Sequence, residues 1–183
     1  MSRPQPPPVT AVRDERFRFR LAAFPGYDKG RSRGWQVAWL AVLQLVFKRW
    51  WFPRGLRPAI LRFFGAEVGR GVVMRDGVYL TWPWHLTIGD DVWIGRGVQM
   101  LTSTRITIGH DVCISQHAML MTSGHDPNSD DFRVYDYPIT VGNHVWICAR
   151  AVVLHGVKLP DHTVVHANAV VSFGQPIPFR DGA

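Results

Sequence analysis

One histidine is placed where its chemistry could be used. His125 sits in TSGHD, inside the stretch LMTSGHDPNSDDFRVYDYPITVG at residues 120–142. That stretch is polar and also carries Asp126, Asp130, Asp131 and Asp136. An imidazole titrates near neutrality, so it can take the proton of a hydroxyl as that hydroxyl attacks. The seven other histidines, at 85, 110, 117, 144, 155, 162 and 166, are scattered through a repetitive sequence and read as structural. The two cysteines, Cys113 and Cys148, each fall within a repeating unit where a small buried side chain fits. Neither is placed to act as a nucleophile. So few cysteines make no disulfide framework and suit a reducing compartment.

The surrounding repeat explains how His125 could be positioned. Aliphatic residues or Met recur every sixth position at 68, 74 and 80, then at 88, 94 and 100, then at 108, 114 and 120. After the polar interruption they resume at 141, 147, 153, 159, 165 and 171. A small residue often follows the aliphatic one, and a small or β-branched residue recurs four places on, as at Val92, Val98, Ala118 and Ala151. A period of six sustains neither a helix nor a two-faced strand. It fits a short strand plus a turn, stacked as a triangular coil with neighbouring strands about 4.8 Å apart. The fold expected is an all-β solenoid, a parallel β-helix of hexapeptide repeats over 66–173. The residue after each aliphatic one should lie at a tight corner, where a small side chain or a positive φ is favoured. A flat solenoid wall offers mostly backbone, so a catalytic group must come from what departs from it. Here that is the loop 121–138.

Ahead of the solenoid, residues 35–52 and 56–64 read as helices separated by Pro53. In the second, Leu56, Ile60 and Phe63/Phe64 would share the face that caps the first coil. The run WQVAWLAVLQLVF, followed by KRWWF, is too short for a membrane span. It reads as a helix packed on the domain, or as one lying at a membrane surface with its tryptophans and Lys48/Arg49 among the headgroups. The chain carries a net charge of +7, concentrated before residue 65. No nucleic-acid motif or stacking platform accompanies that charge. Residues 1–28 are proline-rich and basic, residues 29–65 form a helical segment, and residues 174–183 form a short tail. No signal peptide is visible, and a cytoplasmic location, at the inner face of a membrane, is expected.

The repeats, the single histidine loop, YPITVGNHVWICARAVVLHGV and FFGAEVGRGVVMRDGVYLTWPWHLTIGDDVWIG together resemble the left-handed β-helix, hexapeptide-repeat O-acetyltransferases. Within these the likeness is to colanic acid biosynthesis acetyltransferases, related to maltose and galactoside acetyltransferases. The resemblance covers roughly residues 29–172. It implies a homotrimer with sites in clefts between subunits, acetyl-CoA as acyl donor, no metal, and a small-molecule or glycan acceptor from surface polysaccharide synthesis. It makes His125 the general base. Trp146, Ala149, Arg150 and Ala167 would line the acetyl-CoA groove, and Tyr79, Thr81 and Asp126 would contact the acceptor.

The resemblance has gaps. Cys148, Arg150, His155, Pro160, His162, His166 and Asn168 stand where relatives carry mostly glycine, proline or small residues, and Phe173 stands where a lysine is common. Arg150, Lys158 and Arg180 are candidate replacements for the basic contacts to CoA phosphates. These departures leave open a weakened or inactive β-helix scaffold. A zinc-dependent carbonic anhydrase on the same fold would need a histidine pair five apart, whereas His162 and His166 are four apart.

Overall fold

The computed structural model describes residues 28–125 and 134–174. Three parallel sheets of five strands form the faces of a left-handed β-helix. The first face stacks Glu67–Val68, Leu86–Ile88, Ile106–Ile108, Ile139–Val141 and Lys158–Leu159. The second stacks Val73–Met74, Trp93–Ile94, Cys113–Ile114, Trp146–Ile147 and Val164–Val165. The third stacks Tyr79–Leu80, Gln99–Leu101, Met119–Met121, Val152–Val153 and Val170–Val171.

The register follows the hydrophobic period. Ile88 pairs with Ile108, Ile108 with Val141 and Val141 with Leu159, so like side chains stack along the axis. The repeated aliphatic residues from Met74 to Val171 point inward and are buried, while Val68 at the open end is half-buried. Valines, alanines and Thr163 four places on fill the rest of the prism. Each large aliphatic side chain so buried contributes about 1.5–3 kcal/mol.

The corners differ from expectation in one respect. The small residue just after the aliphatic one is not the positive-φ position. It is small because the next coil passes close by: a Cβ at Gly89 would lie 2.7 Å from the backbone of Gly109. The left-handed conformation falls two residues later. It is taken by Gly71, Gly77, Gly97, Gly156 and Gly174, and by Asp91, Asp111, His117, His144, Arg150, His162 and Asn168. Asp, Asn and His tolerate this region better than most side chains. Several residues that depart from the family's pattern therefore occupy regular corner positions.

At the corner between the first and second faces, side chains tie coil to coil. Asp90 accepts from the Arg70 amide (2.7 Å), and His110 Nδ1 accepts from the Asp90 amide (3.0 Å). Asn143 Oδ1 accepts from the His110 amide (2.9 Å), and Asp161 accepts from the Asn143 amide (2.7 Å). These amide bonds hold the Asp90 and Asp161 carboxyls below the usual carboxylate range.

The N-terminal helices close the first coil, with shorter bounds than the sequence suggested. Helix α1 spans Arg33–Val42, capped by Ser32, and widens into a π-helical turn at Leu43–Phe47. Helix α2 spans Arg57–Phe63. Trp39 is buried against Phe47 and Phe64, and its indole N–H donates to the Leu80 and Thr81 carbonyls. The buried guanidinium of Arg57 donates to the carbonyls of Phe47, Met74 and Arg49. The packed face of α2 is Arg57, Pro58 and Leu61, continued by Phe64; Leu56 and Phe63 face outward. Of the expected face, Ile60 and Phe64 pack on the core while Leu56 and Phe63 do not, and the buried Arg57 takes an inner position that periodicity alone did not assign. Among the described residues, no helix is long and apolar enough to cross a membrane.

Candidate active site

The third corner, between the third and first faces, departs from the regular coil. Its extra residues account for the eight-residue offsets after 80 and 100 and for the long interruption after 120. In the first three coils its floor is built from hydroxyls. Thr102 Oγ1 accepts from the Trp82 amide (2.8 Å) and donates to the Trp82 carbonyl (2.9 Å). One coil on, Thr122 Oγ1 donates to the Leu101 carbonyl (2.9 Å) and accepts from the Thr104 amide (3.1 Å). Thr102 and Thr122 are fully buried. Beside them, Ser103 donates to Ser123 (2.9 Å).

His125 rises from this floor. The strands Ser123–His125 and Val134–Asp136 form an antiparallel hairpin in which Gly124 faces Tyr135 and His125 faces Val134. The segment is thus a pair of arms at its base, with His125 exposed at the end of the first arm. The Tyr137 amide bonds the Thr122 carbonyl (2.8 Å) and anchors the returning arm.

A brace from the fourth coil supports the hairpin. The His155 ring meets Tyr135 edge-on at 4.8 Å and lies 6.0 Å from Tyr137. Tyr135 in turn packs on Gly124, where a Cβ would approach its ring within 2.8 Å. Burial pushes the His155 imidazole below its ordinary pKa, so it is held neutral. The sequence reading missed this brace. The signal for the hydroxyl floor was present, since Thr102/Thr122 and Ser103/Ser123 recur twenty apart.

The expected donor residues gather at the corner between the second and third faces. Trp146 is half-exposed on the second face, between Cys113 and Val164, and its indole N–H donates to Ser115 Oγ (2.9 Å). Ala149 and Ala167 follow on adjacent coils, linked by the Asn168 amide to the Ala149 carbonyl (3.1 Å). Arg150 is exposed there at φ 58°. Lys158 lies on the first face instead, so Arg150 and Lys158 do not converge. Within one chain the third face separates this group from His125.

Of the expected acceptor residues, Tyr79 and Thr81 lie among the described residues. Tyr79 lies on the third face of the first coil, with the Lys48 ammonium 5.6 Å from its ring centre. The Thr81 hydroxyl is buried without a hydrogen-bond partner, and its carbonyl is taken by Trp39. Asp126 and Arg180 lie outside the described residues.

Both cysteines are half-buried, not buried. Burial, with Cys113 nearby, pushes the Cys148 thiol up, the wrong direction for a nucleophile. Among the described residues, no group of three or more His, Cys, Asp or Glu side chains could hold a metal ion. His162 and His166 stand at different corners of one coil, on either side of the strand Val164–Val165.

No family model matches the chain. Against known proteins it is 40% identical over 136 residues to WcaF of Escherichia coli (strain K12), named as a colanic acid biosynthesis acetyltransferase; the match covers 73% of this chain and 74% of that one. The structure superimposes with TM-score 0.72 on a hexapeptide-repeat acetyltransferase of Vibrio cholerae O1 biovar eltor complexed with acetyl-CoA. That likeness is at 24% identity and covers 80% of this chain and 82% of the other. A galactoside acetyltransferase in complex with coenzyme A gives TM-score 0.65 at 22% identity, covering 76% and 72%. At such identities these two structures speak for the fold. The 40% match over most of both chains speaks for the family. Its solenoid, histidine hairpin and sequence place this chain in the WcaF family of hexapeptide-repeat acetyltransferases.

Proposed function

We propose that this chain is a CoA-dependent O-acetyltransferase that moves an acetyl group from acetyl-CoA to a sugar hydroxyl of a surface polysaccharide. The observation that carries the reading is His125 on a braced hairpin, in a chain of this family. The neutral imidazole takes the hydroxyl proton as the sugar oxygen attacks the thioester carbonyl. A tetrahedral oxyanion forms, the C–S bond breaks, and the imidazolium returns its proton to the leaving CoA sulfur. Such general-base assistance contributes about 10²- to 10⁴-fold. No acyl-enzyme intervenes, in keeping with the raised Cys148 thiol.

The separation of His125 from Trp146, Ala149, Arg150 and Ala167 supports a homotrimer. The hairpin of one subunit would meet the donor groove of its neighbour, giving the proximity that a single chain lacks. Tyr79 and Asp126 are the acceptor contacts in this reading, with Thr81 in a supporting position. The enzyme would work on the cytoplasmic side of a membrane, with its basic, Trp-rich N-terminal segment as the contact.

The test is calorimetric titration with acetyl-CoA together with a CoA-release assay over candidate sugars. Wild type and His125→Ala should bind acetyl-CoA alike, and His125→Ala should lose about 10²- to 10⁴-fold in turnover. Absence of acetyl-CoA binding at millimolar concentration would sink the reading in favour of an inactive scaffold.

A further inference from the structure

The N-terminal cap carries a surface that the transfer chemistry does not use. Helices α1 and α2 and the turn between them enclose an open groove lined by Val42, Val46, Phe52, Leu56, Ile60 and Phe63. Its rim is in solvent: Phe63 is 70% exposed and Leu56 52%. On the same turn Trp50 is 81% exposed and Trp51 56%. Clustered apolar exposure of this kind marks a contact surface. Trp39, Leu43, Phe47, Leu61 and Phe64 close that end of the first coil with Ile60 packed on them, and the rim at Leu56 and Phe63 lies outside that core.

The cap segment carries charge of one sign; Asp76, which borders the neighbouring hollow with Trp50, Trp51 and Arg54, is paired with Arg96. From Lys29 to Ala66 the chain holds eight Lys or Arg residues and no Asp or Glu. Arg57 is buried and Arg62 is tied to the Val68 and Gly69 carbonyls, but Arg33, Arg49 and Arg54 are exposed around the apolar patch. Trp and Phe side chains flanked by cations are the composition that settles at the headgroup level of an anionic bilayer. The same turn is fixed to the solenoid, since the Gly77 amide donates to the Lys48 carbonyl (2.9 Å) and the Lys48 ammonium lies over Tyr79.

Resting on the membrane-side acetyltransferase reading above, we propose that this groove and its cationic collar dock on an anionic lipid bilayer, with the first coil and Tyr79 turned toward the lipid. The partner is identified by charge. A second copy of the same face would bring another cationic cap segment against it. Residues 1–27 carry five Arg against two acidic residues, the same sign again. An anionic bilayer matches both the apolar groove and the collar. An acceptor presented at that surface would arrive at the end of the solenoid where Tyr79 lies.

Flotation of the full chain with vesicles provides the test. The chain should rise with phosphatidylcholine vesicles containing phosphatidylglycerol, far less with phosphatidylcholine alone, and added salt should release part of it. Phe63→Glu combined with Trp50→Ser should lower the bound fraction roughly tenfold or more, by loss of inserted apolar area. These side chains are exposed, so the acetyl-CoA affinity of the variant should equal that of wild type. No flotation, or equal flotation of variant and wild type, overturns the proposal. So does a variant whose oligomeric mass by light scattering falls while its vesicle binding persists, since a second copy would then occupy the groove. Vesicle binding without acetyl-CoA binding would sink the transferase reading and leave the docking face standing.

Discussion

Two corners of the same prism are built on opposite principles. Between the first and second faces, each coil turns in the same few residues, and Asp90, His110, Asn143 and Asp161 hand hydrogen bonds from coil to coil. Between the third and first faces, the chain adds residues, buries hydroxyls beneath them, and raises the hairpin that carries His125. The first arrangement leaves no room for a protruding side chain. The second provides a rigid floor and one variable element, which is what a site on a solenoid needs. One face of the prism separates the regular corner from the irregular one.

Breaking the regular corner should have the largest effect on stability. Gly89→Val would put side-chain carbon 2.7 Å from the backbone of Gly109, which cannot move without shifting a coil. A loss of about 3 kcal/mol or more is expected in thermal or denaturant unfolding. A drop under about 0.5 kcal/mol, the size of an ordinary surface change, would show that the coils slide freely.

The next effect belongs to the hydroxyl floor. Thr122→Val keeps the shape but leaves the Thr104 amide without its acceptor and removes the donor to Leu101. It should cost about 1–3 kcal/mol. Turnover should fall further than acetyl-CoA affinity, because the hairpin loosens while the Trp146 corner does not. Equal losses in both would mean that the two corners are coupled.

Acidity should weaken the corners in sequence. Burial lowers the His155 pKa from its usual 6.5, so as pH falls below that value the unfolded chain binds a proton that the folded brace refuses. Stability contributed at the third corner should therefore decline from about pH 6.5 downward, until folded His155 itself protonates. Asp90 and Asp161 are shifted down from 3.8, so their contribution is present above that value and is lost only as pH falls through their lowered folded values. His155→Phe keeps a ring against Tyr135 and should flatten the upper part of the melting-temperature profile alone. An unchanged profile in that variant would remove His155 from the brace.

The smallest stability effect is expected at Arg150. Its φ of 58° costs an arginine something that glycine would not pay, while glycine adds freedom to the unfolded chain. Arg150→Gly should leave stability within about 1 kcal/mol of wild type. If Arg150 meets the CoA phosphates, calorimetry should nonetheless show weaker acetyl-CoA binding. Unchanged affinity would make Arg150 a corner residue only.

Much of this was readable in the residues, for definite reasons. A six-residue period can satisfy only a three-faced prism, so inward residues such as Ile94, Ile114 and Ile147 declared the core and its register. A single polar interruption in so regular a text located the loop, while the pairing of its arms as a hairpin was seen only in the structure. The inner face of α2 was read only in part: Ile60 and Phe64 pack inward as expected, but Arg57 is buried there by the carbonyls of Phe47, Arg49 and Met74, which helical periodicity does not announce. The bond from the Trp39 indole to the Thr81 carbonyl, made across some forty residues, was likewise not readable.

The sequence by itself determined what repeats, because a hexapeptide pattern is a local rule applied at every rung and needs no distant partner to be read. It also determined which histidine stands outside the rule. Only the tertiary structure decided what faces what. It set the His155 ring against Tyr135, tied the Thr81 carbonyl to Trp39, left Phe63 and Trp50 in solvent, and put a full face between His125 and Trp146. Those relations depend on how coils and helices pack at long range, where contact is set by shape and by the close approach of backbones, and one-dimensional spacing does not encode either.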